Sequence, residues 1–205
     1  MLKSALDSLA DKDRDIRSAL AVCGYPQDRS MPQGYESLAR IIIGQQISRI
    51  LATNIWQRLE ARKWTSAEVI AELPLEDLQK TGLSLRKAEY LSGLAKAVLS
   101  GDLDLPGLAH CDGEIVRSRL VEYRGVGNWT ADNYRLFALQ DMDAWPGNDL
   151  ALQEAMRRLK SLPARPSAKE MDKLASDWVP YRGAGALFLW HLYAIEVRNA
   201  TPSDI

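Results

Sequence analysis

Leu120-Val-Glu-Tyr-Arg-Gly125-Val-Gly127-Asn-Trp-Thr-Ala131 is the stretch whose reading decides the fold. Two glycines stand one residue apart at a break between two apolar-periodic runs. Glycine takes positive φ at little cost, so Gly125-Val126-Gly127 can make a tight turn. A second helix then begins near Asn128 to Thr130. Its first N–H groups have no intrahelical acceptor. With the helix dipole they form an anion site suited to a phosphate group. Gly125, Gly127, Asn128 and Thr130 are the candidate phosphate-binding positions. The same Gly-x-Gly also fits a plain corner between two helices, and so short a motif does not separate the two readings.

Outward from this turn the periodicity is helical nearly throughout. In Tyr35 to Leu59, apolar residues recur at Leu38, Ile41, Ile42, Ile50, Leu51, Ile55 and Leu59, the spacing of a buried helical stripe. Leu85 to Leu99 and Ile115 to Leu139 repeat the pattern. Thr65-Ser-Ala-Glu68 and Ser167-Ala-Lys-Glu170 both fit capping boxes, so helices are expected to start there. No run of alternating β-branched residues flanked by hairpin turns is present. Breaks fall at Gly24 to Gly34, Pro74, Gly82, Gly101 to Gly113, Gly125 to Gly127, Pro146-Gly147, Pro163 to Pro166 and Pro180. The expected fold is all-α, with about ten short helices.

Composition bounds the function classes. The chain has 205 residues, 46% hydrophobic and 26% charged, which suits a single domain (1–205) or two small lobes. No apolar run approaches the roughly 18–20 residues of a membrane span. The start, Met1 to Asp13, becomes acidic too early for a secretory signal. Two cysteines, Cys23 and Cys111, make no CxxC pair, which argues against a disulfide framework, a zinc site or a four-cysteine cluster. The cytoplasm is the expected compartment. The net charge is -1, so nothing global advertises nucleic-acid binding. Any such contact must come from a local patch and from backbone amides. Six tryptophans and seven tyrosines stand beside two phenylalanines. Aromatics with a polar handle serve cores and base-stacking surfaces alike.

The residues beyond the glycine turn narrow the choice. Gly125-Val-Gly-Asn-Trp-Thr-Ala-Asp132 runs into Asp143-Ala-Trp-Pro-Gly-Asn-Asp149-Leu150. This resembles the helix-hairpin-helix DNA glycosylase superfamily, in which a hairpin is followed by a Gly/Pro-rich loop and an aspartate. Three further segments resemble its alkylated-base (3-methyladenine) branch: Ile43-Gly-Gln-Gln-Ile-Ser48, Gly82-Leu-Ser-Leu-Arg-Lys-Ala88 and Trp178-Val-Pro-Tyr-Arg-Gly-Ala-Gly-Ala-Leu-Phe-Leu-Trp190. The resemblance spans about Tyr35 to Trp190 and implies the compact form, without an extra N-terminal β domain. It implies two helical lobes flanking a cleft, lobe a at about 35–140 and lobe b at about 1–34 plus 141–205. It also implies duplex DNA with alkylated bases as partner, a monomer, and no cofactor or catalytic metal. By analogy alone, a monovalent cation could sit on the hairpin carbonyls of Arg124 and Val126.

The residues carry this chemistry unevenly. Asp149 is the candidate catalytic carboxylate, placed to stabilise an oxocarbenium-like sugar and to orient water. Local sequence alone reads it as a helix N-cap, after Pro-Gly-Asn and before an apolar helix. Its spacing of 20 residues from Trp129 matches the family. Trp129 stands where bifunctional members have a lysine, so no amine is available for a Schiff base. The resemblance thus implies a monofunctional glycosylase of 3-methyladenine and 7-methylguanine. Trp129, Trp190, Tyr134 and Trp145 are candidate base-pocket residues, and each also reads as a core aromatic. At the family's other aromatic pocket positions the chain has Asn133 and Leu150.

Gln46, then Ile47, are candidate wedge residues that fill the gap left by a flipped base. Local propensity does not exclude one continuous helix there. Arg49, Arg86, Lys87, Arg124 and Arg135 are candidate phosphate contacts. Arg182 reads as either a contact or a structural ion pair. Asp132, Asp141 and Asp143 are expected to be solvated or capping, and His191 to be a satisfied helix histidine. A glycosylase for other damaged or mismatched bases, or a non-catalytic DNA-binding module, remain alternatives.

Overall fold

Helix starts follow the local capping chemistry. In the computed structural model, which describes residues 1–198, thirteen α-helices and no strand occur among the described residues. Residues 1–30 carry α1 (Leu2–Lys12) and α2 (Arg14–Cys23). Residues 31–139 carry α3 (Tyr35–Gly44), α4 (Arg49–Ala61), α5 (Ala67–Glu72), α6 (Leu75–Gln79), α7 (Leu85–Ser100), α8 (Leu105–Leu108), α9 (Gly113–Leu120) and α10 (Asn128–Phe137). Then come α11 (Leu150–Leu159), α12 (Ala168–Leu174), a 3-10 turn (Ser176–Trp178) and α13 (Arg182–Arg198). The expected ten helices become thirteen because short turns form inside predicted breaks. One is α8, where Asp104 caps the Gly107 amide and a proline occupies the first turn.

The Ser167 capping box forms in full, with Glu170 returning to the Ser167 amide. The box expected at Thr65 does not form. Ser66 holds the N-cap position of α5 without a side-chain cap bond, and the Thr65 hydroxyl donates to Glu36 at 2.7 Å. A long-range acceptor has outcompeted the local one.

The described chain divides into two compact units, residues 1–30 with 140–198 and residues 31–139. In the second unit α7 is the central helix, with α3, α5 and α6 packed on it. Its core includes Leu38, Ile42, Ile43, Leu59, Leu91 and Tyr134, all at most 1% exposed. Each such aliphatic side chain contributes about 1.5–3 kcal/mol by leaving water. The stripe read from Tyr35 to Leu59 is broken at Gly44–Ser48. Ser48 caps α4 by accepting from the Leu51 amide, so two helices replace one.

In the other unit α13 packs on α1, α2 and α11. Gly185 lets α13 lie against the Trp178 ring, since a Cβ there would fall 2.6 Å from it. Asp13 is the polar hub. It caps α2 through the Asp15 and Ile16 amides, accepts from the Trp178 indole at 2.8 Å, and binds the Lys160 ammonium. Burial works to raise the Asp13 carboxyl, but the Lys160 ammonium, the Trp178 indole and the Ile16 amide outweigh it and hold it below its ordinary range.

Candidate active site

Asp149 sits at the end of a tight turn whose construction can be followed residue by residue. The Asp149 amide donates to the Pro146 carbonyl at 2.9 Å and closes Pro146–Asp149. Gly147 lies on the Trp145 indole so closely that a Cβ would come within 2.6 Å of Nε1. The buried Gln153 amide donates to the Gly147 carbonyl at 3.2 Å. Asp149 is then the N-cap of α11. Its Oδ1 accepts from the Ala151 and Leu152 amides at 2.8 and 3.0 Å. The Trp190 indole, from α13, donates to the same oxygen at 3.3 Å. Both Asp149 and Trp190 are half-buried. The carboxylate is fixed in direction while keeping access to solvent. The cap and the candidate catalytic group are one and the same side chain.

Around this turn the acidic residues are occupied. Asp141 accepts from the Asp143 amide at 2.9 Å. Asp143 accepts from the Arg182 backbone amide and pairs with its guanidinium through both oxygens, so it closes the start of α13. Gly183 allows this approach, because a Cβ would meet the Met142 carbonyl at 2.8 Å. Arg182 is therefore in a structural ion pair. His191 is 2% exposed; its Nε2 lies 2.9 Å from the Cys23 carbonyl, which requires the proton on that nitrogen. Trp145 is buried beneath the turn and meets Trp178 edge-on, with ring centroids 5.8 Å apart. That placement revises its expected pocket role: Trp145 is a platform for the turn.

The hairpin belongs to the unit of residues 31–139. Gly125 has φ +93°, and a Cβ there would lie 2.3 Å from the Tyr90 ring. Both the backbone and the space require glycine. Val126 is the buried anchor of the turn, and its amide donates to the Tyr123 carbonyl. Gly127 is the N-cap of α10, with no side-chain cap bond, and its missing Cβ opens on empty space. Gly127 and Asn128 are exposed, whereas Thr130 is buried. The α10 start at Gly127 and Asn128 therefore lies on an open face.

Other expected residues in this unit separate into exposed and buried. Gln46 is exposed at φ +56°, with Ile47 half-buried behind it against the core. Trp129 is half-buried, and its carbonyl accepts from Asn133 at 2.6 Å. Tyr134 is fully buried and its hydroxyl accepts from the Gly34 amide at 3.0 Å. It is a core residue, which revises its expected place in a base pocket.

Arg135 is also buried, with Asp132, Arg117 and Glu114 in one charged network. Burial raises the Asp132 carboxyl against the pull of Arg117 and Arg135. Asp132 is thus neither solvated nor a cap, and Arg135 is turned inward. Lys87 donates to the Ile43 and Gln45 carbonyls at 2.7 and 2.6 Å. Arg124 pairs with Glu89 and stays exposed, and Arg49 and Arg86 are exposed. Sequence patterns alone assign no role to Gln153, or to Gln45 as a tether. Gln153 carried one usable signal: a polar residue one helical turn after the cap, on the inner face.

Among the described residues no helix is long and apolar enough to cross a membrane. Comparison with known proteins is consistent along the chain. A family model described as HhH-GPD superfamily base excision DNA repair protein matches residues 39–181. The Bacillus subtilis protein YfjP is 31% identical over 165 residues, covering 76% of this chain and 58% of its own length. DNA-3-methyladenine glycosylase 1 of Schizosaccharomyces pombe is 30% identical over 190 residues, covering 89% of this chain and 83% of that one. This chain thus spans little more than half of one relative and most of the other. The solved structure of S. pombe 3-methyladenine DNA glycosylase (Mag1) in complex with abasic DNA superposes with a TM-score of 0.85 at 26% identity, over 97% of this chain and 99% of that one. With the hairpin, the Pro-Gly turn and Asp149 all accounted for, the chain belongs to the HhH-GPD superfamily of base excision DNA repair proteins.

Proposed function

We propose that this protein is a monofunctional DNA glycosylase that hydrolyses the N-glycosidic bond of alkylated purines in duplex DNA, 3-methyladenine foremost and 7-methylguanine next. The observation that carries this reading is the Asp149 turn. A half-buried carboxylate, aimed by two helix amides and an indole, ends the loop that follows the hairpin in a chain of this superfamily. The relatives' names support the substrate class.

Each part then has a physical task. The open amides of α10 hold a backbone phosphate. Gln46 and Ile47 occupy the gap left by the extruded base, whose flipping costs a few kcal/mol, less for damaged pairs. Trp190, whose indole donates to Asp149, offers an electron-rich face to a cationic base. An alkylated purine leaves as a neutral base when the C1′–N bond breaks, because it takes the bonding pair onto a ring that already carries positive charge. Asp149 stabilises the cationic sugar and directs water to C1′, and the water's proton passes to the carboxylate or to solvent. With Trp129 at the position of the lyase lysine, no amine forms a Schiff base and the product is an unnicked abasic site.

The test is incubation with methylated duplex followed by chromatography of the released bases. Release of 3-methyladenine without strand nicking is expected. Firm duplex binding with no base released would instead make the protein a non-catalytic binding module.

A further inference from the structure

The turn between α3 and α4 is held from two directions, and the residues that hold it have no part in the chemistry described above. Gln45 ends α3 with extended backbone, φ −58° and ψ 130°. Its side-chain Nε2 donates to the Gly125 carbonyl at 2.9 Å and to Thr130 Oγ1 at 2.7 Å. Both acceptors belong to the hairpin and the first turn of α10. Thr130 is 2% exposed, so this junction is sheltered from water. On the other side, the Lys87 ammonium from α7 donates to the Ile43 and Gln45 carbonyls. Those carbonyls close the C-terminal end of α3, where the helix dipole favours a cation. Burial pulls the Lys87 amine below its ordinary range, in keeping with its sheltered position.

Between these two anchors stands Gln46, exposed and at φ +56°. A non-glycine residue in the left-handed region costs on the order of 1 kcal/mol and persists where its surroundings over-determine it. Here the over-determination is visible in Gln45 and Lys87. The sheltered amide bond also ties up the Gly125 carbonyl, which fixes the plane of the peptide that follows it into the hairpin.

We propose that Gln45 and Lys87 are positioning residues that lock the wedge turn to the phosphate-gripping hairpin, so that gripping the strand and inserting Gln46 occur in one fixed register. This rests on the glycosylase reading. A hairpin that binds a phosphate without this lock would still bind DNA, but its wedge would enter the stack at a variable position. The loss would fall on extrusion of the base and not on affinity for the backbone.

The prediction separates positioning from general structure. Gln45→Glu is isosteric but cannot donate to the Gly125 carbonyl; Lys87→Met keeps the stem and removes the donor. Single-turnover release is measured with 3-methyladenine opposite thymine and opposite a mispaired cytosine, alongside affinity for duplex carrying a stable abasic-site analogue and the thermal midpoint. Each variant is expected to release the paired lesion about tenfold more slowly, the mispaired lesion less than about threefold more slowly, and to bind the abasic duplex within about twofold of wild type. Mispairing lowers the extrusion cost, so it should rescue a wedge defect and nothing else. Equal losses on both substrates, or no loss on either in both variants, would overturn the lock. Should Gln45→Glu fail to fold, Lys87→Met decides by the same ratio. Absence of release by the wild-type protein on every substrate is a different failure, since it overturns the glycosylase reading itself.

Discussion

Helices α10 and α11 begin in opposite ways. Gly127 starts α10 without a side-chain cap and beside open space, with Asn128 exposed next to it. Asp149 starts α11 and takes the Ala151 and Leu152 amides with its own carboxylate. Both helix dipoles favour negative charge at this end. In one case the N-cap residue supplies no side-chain acceptor, which leaves room for an anion from a ligand. In the other it supplies the acceptor and gains a carboxylate of fixed direction. The same four unsatisfied amides thus serve binding or rigidity, according to the one residue before the helix.

Substitutions that exchange the two designs test this contrast. The largest effect is expected for Asp149→Asn. Asparagine caps a helix about as well as aspartate, so thermal stability should stay within a few tenths of a kcal/mol. Single-turnover base release should fall on the order of 100-fold or more, as when a group that stabilises transition-state charge is removed. Near-normal release by the folded variant would reduce Asp149 to a cap. Next comes Gly127→Asp, which gives α10 the design of α11. The backbone φ of −100° accepts a side chain. Folding stability should change by only a few tenths of a kcal/mol. Duplex affinity, compared at one fixed salt concentration, should drop on the order of tenfold or more, because the new carboxylate fills the amides and repels phosphate. Unchanged affinity would mean that DNA does not use this helix start.

The two hairpin glycines give the third comparison. Gly125→Ala would force a Cβ into Tyr90 at positive φ, at a cost of about 1–3 kcal/mol in denaturant unfolding. Gly127→Ala meets nothing at an allowed φ, so its cost is confined to alanine's poorer N-capping and should stay below about 1 kcal/mol. Equal costs would erase the distinction between a glycine the fold needs and one it does not.

The smallest effect concerns Asp13, the other aspartate that both caps a helix and accepts an indole. Its carboxyl is held low in the folded chain, so the unfolded chain binds the proton more readily. The stability it contributes is complete above about pH 4 and is lost as pH falls through the lowered folded value. Asp13→Asn should therefore be less stable near neutrality and show a flatter acid limb in stability against pH. An acid limb as steep as the wild type's would remove Asp13 from the acid response.

Legibility followed the range of the interactions. The breaks at Gly24 to Gly34 and Gly125 to Gly127, the Ser167 box and the cap at Asp149 are all written within four residues of themselves, and all form. Thr65 failed because Glu36 competes for its hydroxyl. Tyr134 and Trp145 failed for a similar reason. An aromatic ring has no local mark that distinguishes a stacking surface from a core, and Gly34 and Trp178 decide their surroundings from elsewhere in the chain. Gln45, Lys87 and Gln153 act on carbonyls whose presence depends on tertiary packing. Arg135 looked like any surface cation until Asp132 and Glu114 enclosed it.

The unit that carries Asp149 is assembled from both ends of the described chain, with residues 31–139 between its parts. Asp13 awaits Lys160 and Trp178, Lys12 awaits the Val179 carbonyl, and the Cys23 carbonyl awaits His191. On the ribosome, every residue of the hairpin unit is synthesised before any of those four partners. The hairpin unit can close as a contiguous piece, while the first thirty residues must stay uncommitted through more than a hundred peptide bonds of synthesis. Order of completion therefore departs from order of sequence: the unit that holds the hairpin is complete before the unit that carries Asp149 can begin to set.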